Sequence, residues 1–176
     1  MVEASAWPGG RPRCRHRRRQ RFALAALTGA RRGELCALRW SDVDQVAGTL
    51  TVARLITVAA GVVSVGDTKT HQVRRLALDP VAFDVLGRHR LEPEAMAAAF
   101  QVDLEADAYI LSREPRGHRA CLPDGLTLAF AAACIGAGLT RPGSAGRPGP
   151  PLWHFHDLRH FAATTAIRRG QRGVPA

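Results

Sequence analysis

Trp153-His154-Phe155-His156-Asp157-Leu158-Arg159-His160 places three histidines and an arginine within eight residues. The residues that follow, Phe161 to Arg169, read as a helix. A helix opening near His156 sets His156 and Arg159 one turn apart on a single face, with His160 one step further round. An imidazole and a guanidinium on one face grip an anion, most naturally a phosphate, through charge-assisted hydrogen bonds. Taken alone, the segment admits a second reading. The H-x-H of His154 and His156 suits a strand, where alternate residues share a face, and with His160 these side chains could bind zinc. Against that, no acidic ligand stands at a familiar spacing, and Asp157 points away if the segment is helical. Two earlier segments, 28–35 and 68–75, bear on the choice.

Composition narrows the class. A chain of 176 residues suits one domain with a real core. Its 46% hydrophobic and 23% charged content is ordinary for a globular protein. The formal net charge of +10 points to a polyanionic partner, nucleic acid before membrane. Of the 25 Lys+Arg, only Lys69 is lysine. Ala, Gly and Pro are also abundant, the signature of GC-rich codons, so arginine abundance alone carries little weight and the single lysine stands out. Cys14, Cys36, Cys121 and Cys134 form no C-x-x-C pair. Their spacing suits neither a disulfide framework nor a zinc ribbon, and they read as free thiols in a reducing cytoplasm. No apolar run is long enough to span a membrane, and no hydrophobic stretch follows the basic N-terminus where a signal peptide needs one.

Outward from the opening segment, the chain divides as follows. Residues 1–20 read as a disordered tail because the basic run from Arg11 to Arg19 repels itself and prefers solvent; it could equally be a DNA-tracking arm. Arg21 to Leu27 is a short helical pattern broken at Thr28-Gly29. A second helix is expected from Ala30 to Arg39, with Arg31 and Glu34 at i and i+3 so that the carboxylate can orient the guanidinium. Trp40 to Asp44 closes it with turn formers. Four β-type runs follow, at 49–53, 55–59, 62–65 and 74–78, predicting an antiparallel sheet of about three strands. Lys69 falls in the connection before the last of them. Asp79-Pro80 starts a helix reaching Arg90, Asp79 as N-cap and Pro80 at the first position. Further helices are expected at 94–104 and 123–137. Residues 140–151 read as a Pro/Gly linker, and residues 171–176 as a tail.

Taken together, Thr28-Gly29-Ala30-Arg31-Arg32-Gly33-Glu34-Leu35, Lys69-Thr70 beside a strand turn, and His156-Asp157-Leu158-Arg159-His160 resemble the tyrosine recombinase (phage integrase) family. The resemblance covers roughly residues 21–170 and includes the turn Trp40-Ser41-Asp42-Val43-Asp44. It implies an α+β catalytic domain, mostly helical with a small antiparallel sheet, that acts in site-specific DNA recombination or integration. Arg31 and Arg159 would clamp the scissile phosphate and offset charge in its transition state. Lys69 would be the general acid on the leaving 5′ oxygen, and His156 would serve proton transfer or phosphate hydrogen bonding. His160 and Glu34 would support the site. Arg32, Arg74 and Arg75 are the expected further DNA contacts. The implied partners are double-stranded DNA and other recombinase protomers. No metal, cofactor or membrane partner is implied, because the phosphodiester energy is kept in a covalent protein–DNA bond.

The sequence departs from the family at the nucleophile. Members carry a second histidine or tryptophan and then a tyrosine after the His-Arg motif, and Phe161 to Ala176 holds none of these. The only tyrosine, Tyr109, lies in an apolar, strand-like context that reads as core. No nucleophile is therefore assigned. The chain reads as a catalytic domain cut at both ends, expected to be inactive alone. Two alternatives stand beside this: a non-catalytic DNA-binding remnant of an integrase, and a purely structural domain whose arginines reflect codon usage.

Overall fold

The computed structural model describes residues 12–67, 73–144 and 147–168. The first helix, α1 (Pro12–Thr28), runs straight through most of the basic stretch expected to be disordered. Proline suits the first helical turn and arginine is a good helix former, so local propensity favours extending the helix from its buried C-terminal half. In that half, Gln20, Arg21, Leu24 and Ala25 are buried, and α1 packs against α3 (Pro80–Ala99) and α5 (Asp157–Arg168).

At the end of α1 the Thr28 hydroxyl donates back to the Leu24 carbonyl at 2.7 Å. Gly29 follows at φ +60, and its N–H donates to the Ala25 carbonyl at 3.0 Å. A side chain there would be strained, and its Cβ would sit 3.2 Å from Cβ of Ala162 on α5. α2 is shorter than the sequence suggests, covering Arg32–Ala37. It ends because Leu38 turns extended and Leu38–Trp40 pairs with Ala108–Ile110: the Ile110 N–H donates to the Leu38 carbonyl at 2.9 Å and the Trp40 N–H to the Ala108 carbonyl at 3.0 Å.

A turn of 3₁₀ helix at Trp40–Asp42 leads into the sheet. β1 (Val43–Asp44), β2 (Thr49–Val52) and β5 (Arg74–Ala77) form an antiparallel sheet in the order β1-β2-β5, three strands in number as expected, although β1 lies in the stretch read as a turn and the expected runs 55–59 and 62–65 fall outside this sheet. β3 (Arg54–Ala59) and β4 (Val62–Asp67) form a separate hairpin, joined at Ala60 and Gly61, both at positive φ as a two-residue hairpin turn requires. The register sets Val52 opposite Arg74 and Thr51 opposite Arg75, which leaves Arg74 half-buried and Arg75 exposed.

Where two helices were expected after Asp79, there is one. The Asp79 carboxylate accepts the Ala82 N–H at 2.8 Å, and α3 passes through Pro93 without ending. Its buried face, Ala82, Leu86, His89, Pro93 and Ala97, carries it across the missing N–H. α4 (Pro123–Gly136) forms as expected. The Pro/Gly segment closes a loop at its base, Thr140 bridging Pro151 and the Leu152 N–H donating to the Leu139 carbonyl at 2.9 Å.

The core gathers Leu24, Leu35, Leu38, Leu50, Val52, Ile56, Ile110, Leu111 and Leu126. Three aromatic rings close one end edge-on: Phe22 and Phe130 at 5.1 Å, Phe130 and Phe155 at 5.8 Å, Phe22 and Phe155 at 6.4 Å. Among the described residues, no helix is long and apolar enough to cross a membrane.

Gly33 marks the closest approach of α2 to β3, since a Cβ there would lie 2.6 Å from the Ile56 carbonyl oxygen. Gly33→Ala is expected to force the two elements apart and cost about 1–3 kcal/mol in a denaturant titration. A second outcome concerns Asp107, which accepts from the Ser41 hydroxyl at 2.5 Å and from Arg39. The Ser41 bond, with the Arg39 charge, holds its carboxyl below the usual range. A lowered folded-state value gives stability that is present above the unfolded value and lost as pH falls through the folded one. Asp107 is 57% exposed, so solvent screens the pair and Asp107→Asn should cost under about 1 kcal/mol at neutral pH. Thermal melts of the two proteins should converge at acidic pH.

Candidate DNA-phosphate site

Glu34 is the centre of the site. Its side chain is only 2% exposed, and a buried carboxylate needs partners. Its Oε2 accepts the Arg31 backbone N–H at 2.9 Å and the Arg74 Nη2 at 2.5 Å. Its Oε1 accepts the Arg31 Nη1 at 3.1 Å. The spacing that placed Arg31 and Glu34 on one turn is thus realised, and Glu34 also caps the helix it belongs to. Arg74 arrives from β5, forty residues on.

Arg159 completes the group. The opening segment of the sequence makes a turn, with the Asp157 carboxylate accepting the His154 N–H at 2.7 Å and the Arg159 N–H donating to the His156 carbonyl at 3.0 Å. Phe155 is buried in the aromatic cluster, while His154 and His156 on either side are exposed. That anchor fixes the start of α5, and from its first turn the Arg159 Nη1 reaches the Gly29 carbonyl oxygen at 2.6 Å. Burial, and then the charges of Arg31 and Arg74, make the Arg159 guanidinium easier to deprotonate than usual, with Glu34 opposing them. The three arginines are therefore near enough to repel one another. Two guanidinium groups bond one carboxylate and a third is held at the Gly29 carbonyl nearby, and the surplus of positive charge is what an anion site needs. A hollow of about 380 Å³ opens beside α2, with Arg31, Arg32, Glu34, Thr57 and Asp124 in its wall; Arg74 and Arg159 do not line it.

The remaining expected residues divide. His156 and His160 are exposed, and their rings meet edge to face at 4.9 Å on the same end of α5 as Arg159. Among the described residues, no group of three His, Cys, Asp or Glu side chains could hold a metal ion. Arg32 leans onto α4, bonding Asp124 at 3.2 Å and Thr127 at 3.4 Å. Lys69 lies outside the described residues. Tyr109 is buried, its hydroxyl accepting the Arg39 Nη2 at 3.0 Å and its ring lying 4.4 Å from that guanidinium. Two features here carry no signal in the sequence: the Arg74–Glu34 bond, and the Gly29 carbonyl as the acceptor for Arg159. The Gly29 helix stop was visible, but which side chain would take its carbonyl was not.

Glu34→Ala should leave two guanidiniums without their carboxylate. Breaking a buried pair on one side typically costs about 3–5 kcal/mol. Because Arg31 is half exposed, the loss in a urea titration should fall at the lower end.

The model of the phage integrase family matches residues 13–174. A tyrosine recombinase XerC-like protein of Caldanaerobacter subterraneus subsp. tengcongensis is 26% identical over 165 residues, covering 88% of this chain and 40% of that protein. The ICEBs1 integrase of Bacillus subtilis is 25% identical over 151 residues, covering 85% of this chain and 37% of that protein. The chain thus spans about two fifths of the curated relatives it matches. In fold it is similar to the Tn1549 transposon integrase solved with a circular intermediate DNA, at TM-score 0.68 and 18% identity, over 93% of this chain and 49% of that one. It is also similar to XerA recombinase, at TM-score 0.53 and 18% identity, over 94% of this chain and 53% of that one. With the arginine motifs in order on this fold and a family match along nearly its whole length, the chain belongs to the phage integrase family, the tyrosine recombinases.

Proposed function

We propose that residues 21–170 form the phosphate-binding core of a site-specific DNA recombinase or integrase. The observation that carries this reading is the meeting of Arg31 and Arg74 on buried Glu34, with Arg159 held at the Gly29 carbonyl two residues before Arg31. The positive surplus is placed by buried contacts rather than on mobile surface side chains, so it is already organised when a phosphodiester arrives. Arg31 and Arg159 clamp the non-bridging oxygens. Lys69, which precedes the last strand in the sequence, protonates the 5′ oxygen as its bond to phosphorus breaks. His156 exchanges a proton or donates a hydrogen bond at the same phosphate, and His160 holds it through their ring contact. Arg32 and Arg75 add contacts to flanking phosphates. The attacking group in this family is a tyrosine hydroxyl, whose oxygen bonds to phosphorus as the 5′ oxygen leaves. The DNA phosphodiester thereby becomes a protein–DNA one of similar energy, with no metal or nucleotide required. Partner protomers and duplex DNA complete the assembly, and the free thiols Cys36, Cys121 and Cys134 suit a cytoplasmic setting.

A second reading is favoured by Tyr109. The only tyrosine of this sequence is held in the core by Arg39, so the chain alone binds DNA without cutting it.

Two measurements test these readings. The purified chain should bind duplex DNA with little sequence preference; if it neutralises about six phosphates, affinity should fall roughly a thousandfold between about 50 and 200 mM salt. Salt-independent binding would count against a DNA role. On a nicked suicide substrate the chain by itself should trap no covalent adduct. An adduct that disappears in Tyr109→Phe would make Tyr109 the nucleophile. Supplying a tyrosine-bearing segment, in cis or from a second molecule, should restore cleavage; failure would leave only the binding role.

A further inference from the structure

Arg74 was expected to contact DNA, as one more cation on a strand beside the cleft. Its environment argues otherwise. Its side chain is 14% exposed, whereas that of Arg31 is 49% exposed, although both bond the same carboxylate. Arg74 makes the shorter bond, 2.5 Å against 3.1 Å. Its strand position opposite buried Val52 points it inward, while its neighbour Arg75 stands in solvent.

We infer that Arg74 is a positioning residue of the phosphate site: it supplies the counter-charge for Glu34, so that Arg31 keeps half its surface turned outward to a DNA phosphate. This rests on the phosphate-site reading above. A carboxylate buried to this degree must be neutralised by something. If Arg31 were its sole cationic partner, the guanidinium would be drawn onto the carboxylate and the pair would present no net charge to a ligand. With Arg74 present, Glu34 is already neutralised, and Arg31 remains oriented by one hydrogen bond while its charge still counts at the site. Arg74 thus sets both the charge of the site and the direction of Arg31, without touching DNA. The repulsion that Arg31 and Arg74 exert on Arg159 agrees with all three lying within reach of one another.

Charge conservation separates this role from a direct contact. The intact chain and its Arg74→Met, Arg74→Lys, Glu34→Gln/Arg74→Met and Arg159→Ala variants would be titrated against a short fluorescein-labelled duplex across a salt series. Folding would be followed by circular dichroism and thermal melting. Arg74→Met should weaken binding by roughly three- to tenfold, what one unit charge a few ångströms away is worth in a wet site. Arg74→Lys should stay near wild type. In the double variant carboxylate and counter-charge leave together, so affinity should recover severalfold above Arg74→Met, short of wild type because an amide cannot accept both Arg31 bonds, and the melting temperature should exceed that of Arg74→Met. If the double variant binds no better than Arg74→Met, with the salt dependence shallower by about one unit in both, Arg74 touches a phosphate itself and the inference is overturned. Should Arg74→Met fail to fold, Arg74→Lys and the double variant still decide, since a direct contact is kept in the first and lost in the second. If Arg159→Ala binds as tightly as wild type, the phosphate-site reading fails and the inference falls with it.

Discussion

A single buried carboxylate organises the functional end of this protein. Glu34 caps its own short helix, holds Arg31 across one turn and takes Arg74 from the sheet. None of these bonds is strong on its own, because each replaces hydrogen bonds to water. Their combined effect comes from burial. With no water to take its place, each partner of Glu34 is needed, so helix and sheet are fixed relative to one another at the point where arginines must be aimed. The same arrangement keeps a positive surplus in a place where like charges would otherwise separate.

The apolar packing around that carboxylate serves the same end. α2 can approach β3 closely only because Gly33 has no side chain, and Leu35 and Cys36 then seal the helix against the core. On the other side, Phe155 anchors the turn before α5 among Phe22 and Phe130, and Gly29 keeps the end of α1 close to Ala162. Arg159 is delivered to the Gly29 carbonyl by that packing. The arginine cluster is thus assembled where α1, α2, β5 and α5 meet, and each element is held there by hydrophobic contacts remote from the charges.

Much of this was legible in the chain itself. The i, i+3 spacing of Arg31 and Glu34 predicts their pairing, since neighbours on one helix turn meet whatever the rest of the fold does. Asp79-Pro80 gives the start of α3 for a similarly local reason. The break expected at Pro93 does not occur, because a continuous buried face outweighs one missing hydrogen bond. The basic run read as a tail is helical from Pro12, since the repulsion that argued for disorder competes with a helix already anchored at its other end.

By itself, then, the sequence determined the order of the motifs, the family they resemble and the contacts within single turns. These depend on residue type and spacing, which the chain carries explicitly. The tertiary structure decided that Arg74 serves Glu34 rather than solvent, that Arg32 turns to Asp124, and that Arg159 closes on a carbonyl 130 residues away. The physical reason is that all of these are meetings of separate elements. Which groups meet depends on strand register, helix end and core packing together, and no local period of the sequence encodes that combination.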